Sequence, residues 1–345
     1  MPSLALSVLD LIPVRTGQRT AQALAAARSL AVTADRAGVR RYWVAEHHNT
    51  LSVASTNPPV IIAMLAAATQ RMRLGSGGVM LPNHASLAVA EQFALLEAAY
   101  PGRIDLGIGR APGTDPVTAW ALRGGLGDAD VVQQFPEHVQ QVIAFLTPEG
   151  ATLQIGDHQH DVRATPLASG APPVWLLGSS DFSAQLAAQL GLPYVFAHHF
   201  SGRGTAEALA LYRSRWAGPG EPTTFLTVNA VVADTRAEAA RLALPFQHMM
   251  ARIHLGRLVP PSPLMTVEEA LAAPAPIPED RFAAIAAPWL LGTADEVAAD
   301  LRSLAARSDV SEVMVQPIAG AYADEPLDHT PTRERTVTEL TALLS

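Results

Sequence analysis

Short, nearly continuous hydrophobic runs alternate along this chain with longer amphipathic runs rich in Ala and Leu. Runs of this length and composition are typical of parallel β-strands that are covered on both faces. Strands are predicted at eight of them, 4–11, 42–46, 74–81, 104–109, 174–179, 193–198, 225–233 and 312–318. Helices are predicted near 20–37, 58–70, 86–99, 133–146, 181–190, 204–217, 235–257 and 294–307, with a last one near 333–344. A strand followed by a helix, repeated in this way, predicts an α/β fold, a (β/α)₈ TIM barrel.

No internal repeat, low-complexity tract or linker divides the chain, so a single domain is predicted over residues 1–345. A barrel of this kind needs about 250 residues. The excess is predicted to lie in three insertions, near 111–132, 148–172 and 259–288. The third insertion is rich in Pro and holds one short predicted helix. We expect it to lie over one face of the barrel, as a lid would.

Composition excludes several classes of chemistry. The chain has no Cys, and all 24 of its Lys and Arg residues are Arg. Thiol catalysis, disulfides, Cys-bound metals, a Lys Schiff base and a Walker phosphate loop are therefore excluded. A net charge of −8 without a basic cluster argues against nucleic acid as a partner. The first residues lack the cationic start of a signal peptide, and no apolar run is long enough to span a bilayer. A cytoplasmic protein without membrane contact is expected.

Polar or glycine residues follow six of the predicted strands, where such barrels place their active sites. In chain order they are Glu46-His47-His48, then Gly75 to Gly78 with Asn83-His84, then Gly107, Gly109 and Arg110, then Gly178-Ser179-Ser180, then His198-His199, and Asn229. These residue types suit a site better than a core.

The Gly178-Ser179-Ser180 turn stands directly before a predicted helix. Free N–H groups at the helix N-terminus, the dipole and the two hydroxyls would together hold a phosphate, and Ser183 would add a third hydroxyl. The alternative is a simple N-cap, for which Ser is preferred. Arg110 has two interpretations as well. It either binds a phosphate or pairs with Glu91 or Asp105.

The glycines from Gly75 to Gly78 interrupt an apolar strand, which indicates either a bulge or a close approach of the backbone to a flat ligand. Successive residues of an extended strand point to opposite faces, so His47 and His48 cannot chelate one ion together. No metal site is therefore predicted. The chain also lacks the G-x-S-x-G motif of serine hydrolases.

Several long segments together resemble the bacterial luciferase-like flavin-dependent monooxygenases. They are YWVAEHHN, TNPPVIIAMLAAAT, LGSGGVMLPNHASLAVAEQFALLEAAYPGRIDLGIGRAPG, WLLGSSDFSAQLAAQLGLPYVFAHHF and LLGTADEVAADLRSLAARSDVSEVMV. The resemblance covers most of the chain. It implies a (β/α)₈ barrel, commonly dimeric, that binds FMN or, in some branches, the deazaflavin F420.

Matched residue by residue, the resemblance makes His47 the catalytic residue near the reactive edge of the flavin and places Glu46 among the residues that bind the cofactor. It places Gly77 and Gly78 at a position where the family often has a non-proline cis peptide behind the isoalloxazine ring. Luciferase has two alanines there. It also has a reactive cysteine where this chain has Gly109.

The same resemblance assigns the flavin phosphate to Arg110 and to the turn before the helix. Ser180 and Ser183 match the family's phosphate-binding hydroxyls, and Gly178 and Ser179 form the turn.

The activity implied by the resemblance is monooxygenation of a small organic substrate. Reduced FMN from a separate reductase would react with O₂ to give a C4a-peroxyflavin. Two alternatives remain: F420-dependent hydride transfer on the same fold, and a flavin-binding partner subunit with little activity of its own. A homodimer is expected, and the sequence does not indicate the substrate.

Overall fold

A computed structural model describes residues 3–125, 132–255 and 262–345. The strands are β1 Ala5–Asp10, β2 Arg41–Val44, β3 Arg73–Ser76, β4 Val79–Met80, β5 Ile104–Gly109, β6 Ala151–Ile155, β7 His158–Val162, β8 Val174–Gly178, β9 Tyr194–Phe196, β10 Thr224–Val232, β11 Leu290–Gly292 and β12 Glu312–Pro317. The helices are α1 Thr20–Ala37, α2 Pro58–Ala66, α3 Ser86–Ala99, α4 Pro116–Leu122, α5 Phe135–Phe145, α6 Asp181–Leu190, α7 Thr205–Ser214, α8 Arg236–Leu255, α9 Val267–Ala272, α10 Glu279–Ala286, α11 Ala294–Ser308 and α12 Pro331–Leu344.

Parallel strands close into a barrel in the order β1, β2, β3, β5, β8, β9, β10 and β12, and β12 pairs with β1 again. The predicted (β/α)₈ barrel is confirmed, and each predicted strand supplies one barrel strand. The run at 74–81 is not one continuous strand, however. It breaks at Gly77–Gly78 into β3 and β4, and β4 pairs with β5.

Two of the predicted insertions contain more structure than expected. The region 148–172 holds an antiparallel hairpin of β6 and β7. Its strands are mostly exposed and polar, so they lack the hydrophobic pattern that reveals a strand. The region 259–288 carries two helices, α9 and α10, instead of one. Residues 126–131 and 256–261, which belong to the first and third insertions, lie outside the described residues.

The amino ends of the barrel strands are closed by a buried charge cluster. Arg41 donates from Nε to Glu312 Oε1 at 2.6 Å and from Nη1 to Asp105 Oδ2 at 2.9 Å. Arg73 and Ser7 complete the two carboxylates' hydrogen bonds. Because each buried charge is paired, the cluster avoids the cost of an isolated ion in a low-dielectric interior.

An aromatic layer lies directly above these charges. Trp43, Trp175 and Phe225 contact one another edge to face or tilted, with ring centroids 5.1 to 5.7 Å apart. The Arg41 guanidinium lies 4.8 Å from the Trp175 ring centroid, within cation–π range. The charged and aromatic layers fill the lower barrel, so ligand space is left only at the carboxyl ends of the strands.

No helix in the described ranges is both long and apolar enough to cross a membrane.

Removing Arg41 should destabilise the protein strongly. We expect Arg41→Ala to lower the free energy of unfolding by about 3 kcal/mol or more, because it leaves buried Asp105 and Glu312 undercompensated. Urea denaturation followed by circular dichroism measures this loss. The neighbouring Arg40→Ala is the control. Its side chain is 55% exposed and lies 3.5 Å from Glu312, so we expect a loss of less than about 1 kcal/mol. Equal losses in the two variants would contradict the role assigned to the cluster.

Candidate functional site

His47 lies on the barrel side of the chain that follows β2. Arg41, Trp43 and Ala45 belong to the barrel interior, and His47 continues this alternate series. Burial lowers the pKa of His47, and the charge of Glu46 opposes that shift. The imidazole is therefore neutral near pH 7. Its Nδ1 atom is buried and has no hydrogen-bond partner among the described residues.

Glu46 points to the opposite side and is fully buried. Its Oε1 accepts hydrogen bonds from His48 Nε2 and His84 Nε2, both at 2.8 Å, and its Oε2 accepts one from the backbone N–H of Met80 at 3.0 Å. Burial alone would raise the pKa of Glu46, but these hydrogen bonds hold it at about 2. Glu46 is thus a permanent carboxylate that positions its neighbours. His48, whose role the sequence left open, is one of its partners.

The segment after β5 packs over this carboxylate. The Gly113 carbonyl accepts from the His48 N–H at 3.2 Å, and Thr114 Oγ1 donates to the His48 carbonyl at 3.0 Å. Gly113 has a φ of +64°, and a Cβ there would lie 2.7 Å from the Glu46 carbonyl oxygen. This contact requires glycine, and it fixes the beginning of the first insertion against the strand end.

The Gly77–Gly78 peptide is cis, as the resemblance implied. A Cβ on Gly77 would lie 2.6 Å from Leu9 Cδ1, and one on Gly78 would lie 2.9 Å from the Gly107 carbonyl oxygen. A Cβ on Gly107 would in turn meet the Ser76 carbonyl oxygen at 2.0 Å. The strands β3 and β5 therefore end in a strip of bare backbone, where a Cβ on Gly78 or Gly107 would meet backbone atoms and one on Gly77 would meet the end of the Leu9 side chain.

Arg110 does not form either of the ion pairs that the sequence allowed. Asp105 is paired with Arg41 and Arg73, and Glu91 accepts a hydrogen bond from Thr165 at 3.2 Å. Within the described residues Arg110 has no salt bridge to a carboxylate. Its guanidinium instead lies 4.1 Å from the ring centroid of Phe182, in the first turn of α6.

The turn before α6 therefore lies beside a cation. Ser180 occupies the N-cap position, but its hydroxyl makes no capping hydrogen bond, which removes the main support for a purely structural role. Ser179 and Ser180 are exposed, whereas Ser183 is buried. A Cβ on Gly178 would lie 2.3 Å from Ser183 Oγ, so only glycine leaves room for that hydroxyl. The hydroxyls, the N-terminus of α6 and Arg110 together can bind an anion.

His199 is a second histidine at the mouth of the barrel. Its Nδ1 is hydrogen-bonded to Thr227 Oγ1, and its carbonyl accepts from Asn229 Nδ2 at 3.1 Å. Burial, followed by the charges of His47 and His198, lowers the pKa of His199 to about 3. The Oδ1 of Asn229 is buried and has no partner within the described part of the chain.

Sequence reasoning missed part of this arrangement. His84 and Asn229 were noted only as polar residues near strand ends, and Thr227 was not noted at all. The period-two series Phe225, Thr227 and Asn229 along β10 is the signal that could have found the last two.

Across the residues that the structure describes, no group of three or more His, Cys, Asp or Glu side chains is arranged to hold a metal ion. One H-x-H pair, His158 and His160, is exposed on the hairpin strand β7.

Sequence relatives cover nearly the whole chain. A luciferase-like monooxygenase from Escherichia coli K12 is 39% identical over 91% of this chain and 91% of its own length. The N-acetyl-S-alkylcysteine monooxygenase of Bacillus subtilis is 34% identical over 92% of this chain and 93% of its own length.

Solved structures share the fold. Apo-MsnO8 superposes with a TM-score of 0.84 at 33% identity and covers 99% of both chains. The oxygenating constituent of 3,6-diketocamphane monooxygenase from Pseudomonas putida, in complex with FMN, has a TM-score of 0.73 at 18% identity, with 98% of this chain and 97% of that chain covered. An F420-dependent secondary alcohol dehydrogenase with an F420–acetone adduct has a TM-score of 0.70 at 15% identity and covers 99% of both chains. The last two show the fold alone.

A family model described as luciferase-like monooxygenase matches residues 4–310. That match spans all but the last barrel strand and helix, and it agrees with the relatives and with the barrel. The chain therefore belongs to the luciferase-like monooxygenase family of oxidoreductases.

Proposed function

We propose that this protein is a flavin-dependent monooxygenase that uses reduced FMN and O₂ to oxygenate a small organic substrate. The observation that carries the proposal is the anion site of Arg110 and Ser180, which adjoins the bare backbone strip at Gly77–Gly78. A phosphate subsite and a flat surface on neighbouring strands are what a flavin mononucleotide requires.

The residues present fit this cofactor. Arg110, Ser179, Ser180 and Ser183 would hold its phosphate, with Gly178 supplying the room. Gly77 and Gly78 would lie against its ring, since a side chain at either position meets neighbouring atoms. Bound reduced FMN would supply the two electrons needed to activate O₂ for oxygen insertion.

His47 would act as the general acid–base residue of the reaction. Its ring is neutral at pH 7, faces the barrel and carries a buried Nδ1 that has no hydrogen-bond partner in the described part of the chain. A neutral imidazole at that place can accept a proton from a reacting group and return it. Glu46 would keep the adjacent backbone in place through its three hydrogen bonds without titrating.

Two further parts of the proposal rest on the sequence. The chain contains no dinucleotide-binding fingerprint, so reduced flavin would come from a separate reductase. The absence of Cys is our ground for proposing a cytoplasmic location.

F420-dependent hydride transfer is the second candidate, since a structure of this fold contains an F420 adduct. The relatives at 34% and 39% identity are named as monooxygenases, which favours oxygen chemistry. A flavin-binding partner subunit without substrate-dependent turnover is the third.

Cofactor titration separates these possibilities. Followed by flavin absorbance and fluorescence, we expect the protein to bind FMN at least about tenfold more tightly than riboflavin, because charge-assisted hydrogen bonds to phosphate add about 1.5–3 kcal/mol. Arg110→Gln should reduce that preference, whereas Arg28→Gln, an exposed Arg on α1, should not. Tighter binding of F420 than FMN would favour hydride transfer, and equal binding of FMN and riboflavin would exclude the phosphate subsite.

Loss of His47 should affect turnover more than binding. With reduced FMN supplied and N-acetyl-S-alkylcysteines as trial substrates, we expect His47→Ala to lower substrate-dependent oxygen uptake by about a hundredfold or more. The Kd for FMN should change by less than about threefold. His158→Ala, on the exposed hairpin, is the control and should behave like the wild type. Unchanged oxygen uptake in His47→Ala would rule out the proton role.

The helices α2 and α3 support a homodimer. They pack together, and Val60 and Met64 of α2 and Leu95 of α3 are each 46% to 57% exposed. The exposed positions of α2 recur at helical spacing and are all apolar. A second copy of the same face would cover this stripe.

Charge on this face should therefore separate the subunits. We expect Val60→Glu combined with Leu95→Glu to change the mass in light scattering from twice the chain mass to the single-chain value of 36.4 kDa. Leu271→Glu is the matched control, because Leu271 is equally exposed (54%) but lies on α9. A monomeric wild type would refute this interface.

A further inference from the structure

A largely apolar cavity of about 640 Å³ opens beside His199, outside the barrel interior. Its walls come from the segment after β9, from the end of α8 and from α10 with the residues that follow it. Its apolar lining includes Phe200, Met250, Ile285 and Trp289. A volume of this size suits a small organic molecule.

The walls are firmly connected to the fold. Gln247 Nε2 of α8 donates to the Phe282 carbonyl of α10 at 2.6 Å, and Phe246 packs on Trp289 with ring centroids 5.5 Å apart. Gly202 has a φ of +67°, and a Cβ there would lie 2.8 Å from Pro288 Cβ. Only glycine allows the segment after β9 to approach the end of α10 this closely.

That close approach brings two cations to one cavity. Arg203 follows Gly202, and Arg281 lies in α10; both line the cavity and both are exposed. No carboxylate lines the cavity, and neither guanidinium has a salt bridge within the described ranges 3–125, 132–255 and 262–345. The chain as a whole has a net charge of −8, whereas two cations and no carboxylate line this cavity. The positive charge of the cavity therefore favours an anionic ligand over a neutral one.

We propose that this cavity binds the substrate of the oxygenation, and that the substrate is a small apolar molecule that carries a carboxylate. Arg203 and Arg281 would bind the carboxylate at the rim, and the apolar body would extend along Trp289 and Phe200 toward His199. This substrate class rests on the proposed function, whereas the binding of such molecules to the cavity does not.

The inner end of the cavity fits the apolar end of such a molecule. His199 is uncharged near neutral pH because burial, the largest cause, lowers its pKa. A carboxylate would therefore find its positive partners only at the rim. This arrangement orients the ligand in one direction, with its apolar end toward His199.

The test is calorimetric titration with octanoate and with octan-1-ol, which share a chain and differ in charge. It is done on the protein both without and with FMN. We expect octanoate to bind about tenfold more tightly than octan-1-ol, as a charge-assisted hydrogen bond provides. Arg203→Gln with Arg281→Gln should remove that preference and leave octan-1-ol binding within about threefold. Arg28→Gln with Arg36→Gln, two exposed residues of α1, changes the net charge equally and should have no effect.

Each contrary outcome overturns the inference. If octan-1-ol binds as tightly as octanoate, charge plays no role in binding. If Arg203→Gln with Arg281→Gln leaves the preference for octanoate over octan-1-ol unchanged, the carboxylate binds elsewhere. Failure of octanoate to bind with or without FMN would show that the cavity is not a site of this class. If octanoate binds as expected but FMN does not, the cavity assignment stands and the monooxygenase proposal fails.

Discussion

The hydrogen bonds of the buried Glu46 carboxylate organise the mouth of this barrel. A carboxylate removed from water must be fully paired, and Glu46 finds its partners on separate segments of the chain: His48 after β2, and Met80 and His84 after the break in β3. Through these hydrogen bonds Glu46 fixes the position of the end of β2 relative to the backbone that follows Gly77–Gly78. The neighbouring His47 projects the other way, and its buried Nδ1 has no hydrogen-bond partner among the described residues.

The lower barrel explains why the site lies at this end. The Arg41 charge cluster and the layer of Trp43, Trp175 and Phe225 fill the interior from the amino ends of the strands upward. Above these layers the inward face carries polar residues again, among them His47, Thr227 and Asn229. The third insertion adds α10 beside this mouth, where it is held to α8 by Gln247. The lower end of the barrel is thus filled by residues of the barrel strands themselves, whereas α10 of the third insertion forms part of the wall at the mouth.

Much of the barrel could be predicted from the sequence because its strands are buried on both faces and read as continuous hydrophobic runs. The hairpin β6–β7 and the short β11 escaped prediction for the opposite reason, since exposed or very short strands carry little hydrophobic signal. Strand alternation placed His47 and His48 on opposite faces, and the resemblance then selected His47 as the catalytic residue. The structure places His48 on the side of Glu46, as alternation requires. Residues whose role depends on distant partners, such as His84, could not be assigned in this way.

The sequence by itself determined the fold class, the excluded chemistries and the set of strand-end residues, because strand and helix periodicity and residue chemistry are local properties. Only the tertiary structure decided how those residues are paired. It placed Arg110 against Phe182 instead of Glu91 or Asp105, gave Glu46 three donors, and brought Arg203 and Arg281 to one cavity through the close contact at Gly202. The physical reason is that an ion pair or a hydrogen bond depends on distances of a few ångströms between residues far apart in the chain, and barrel closure sets those distances.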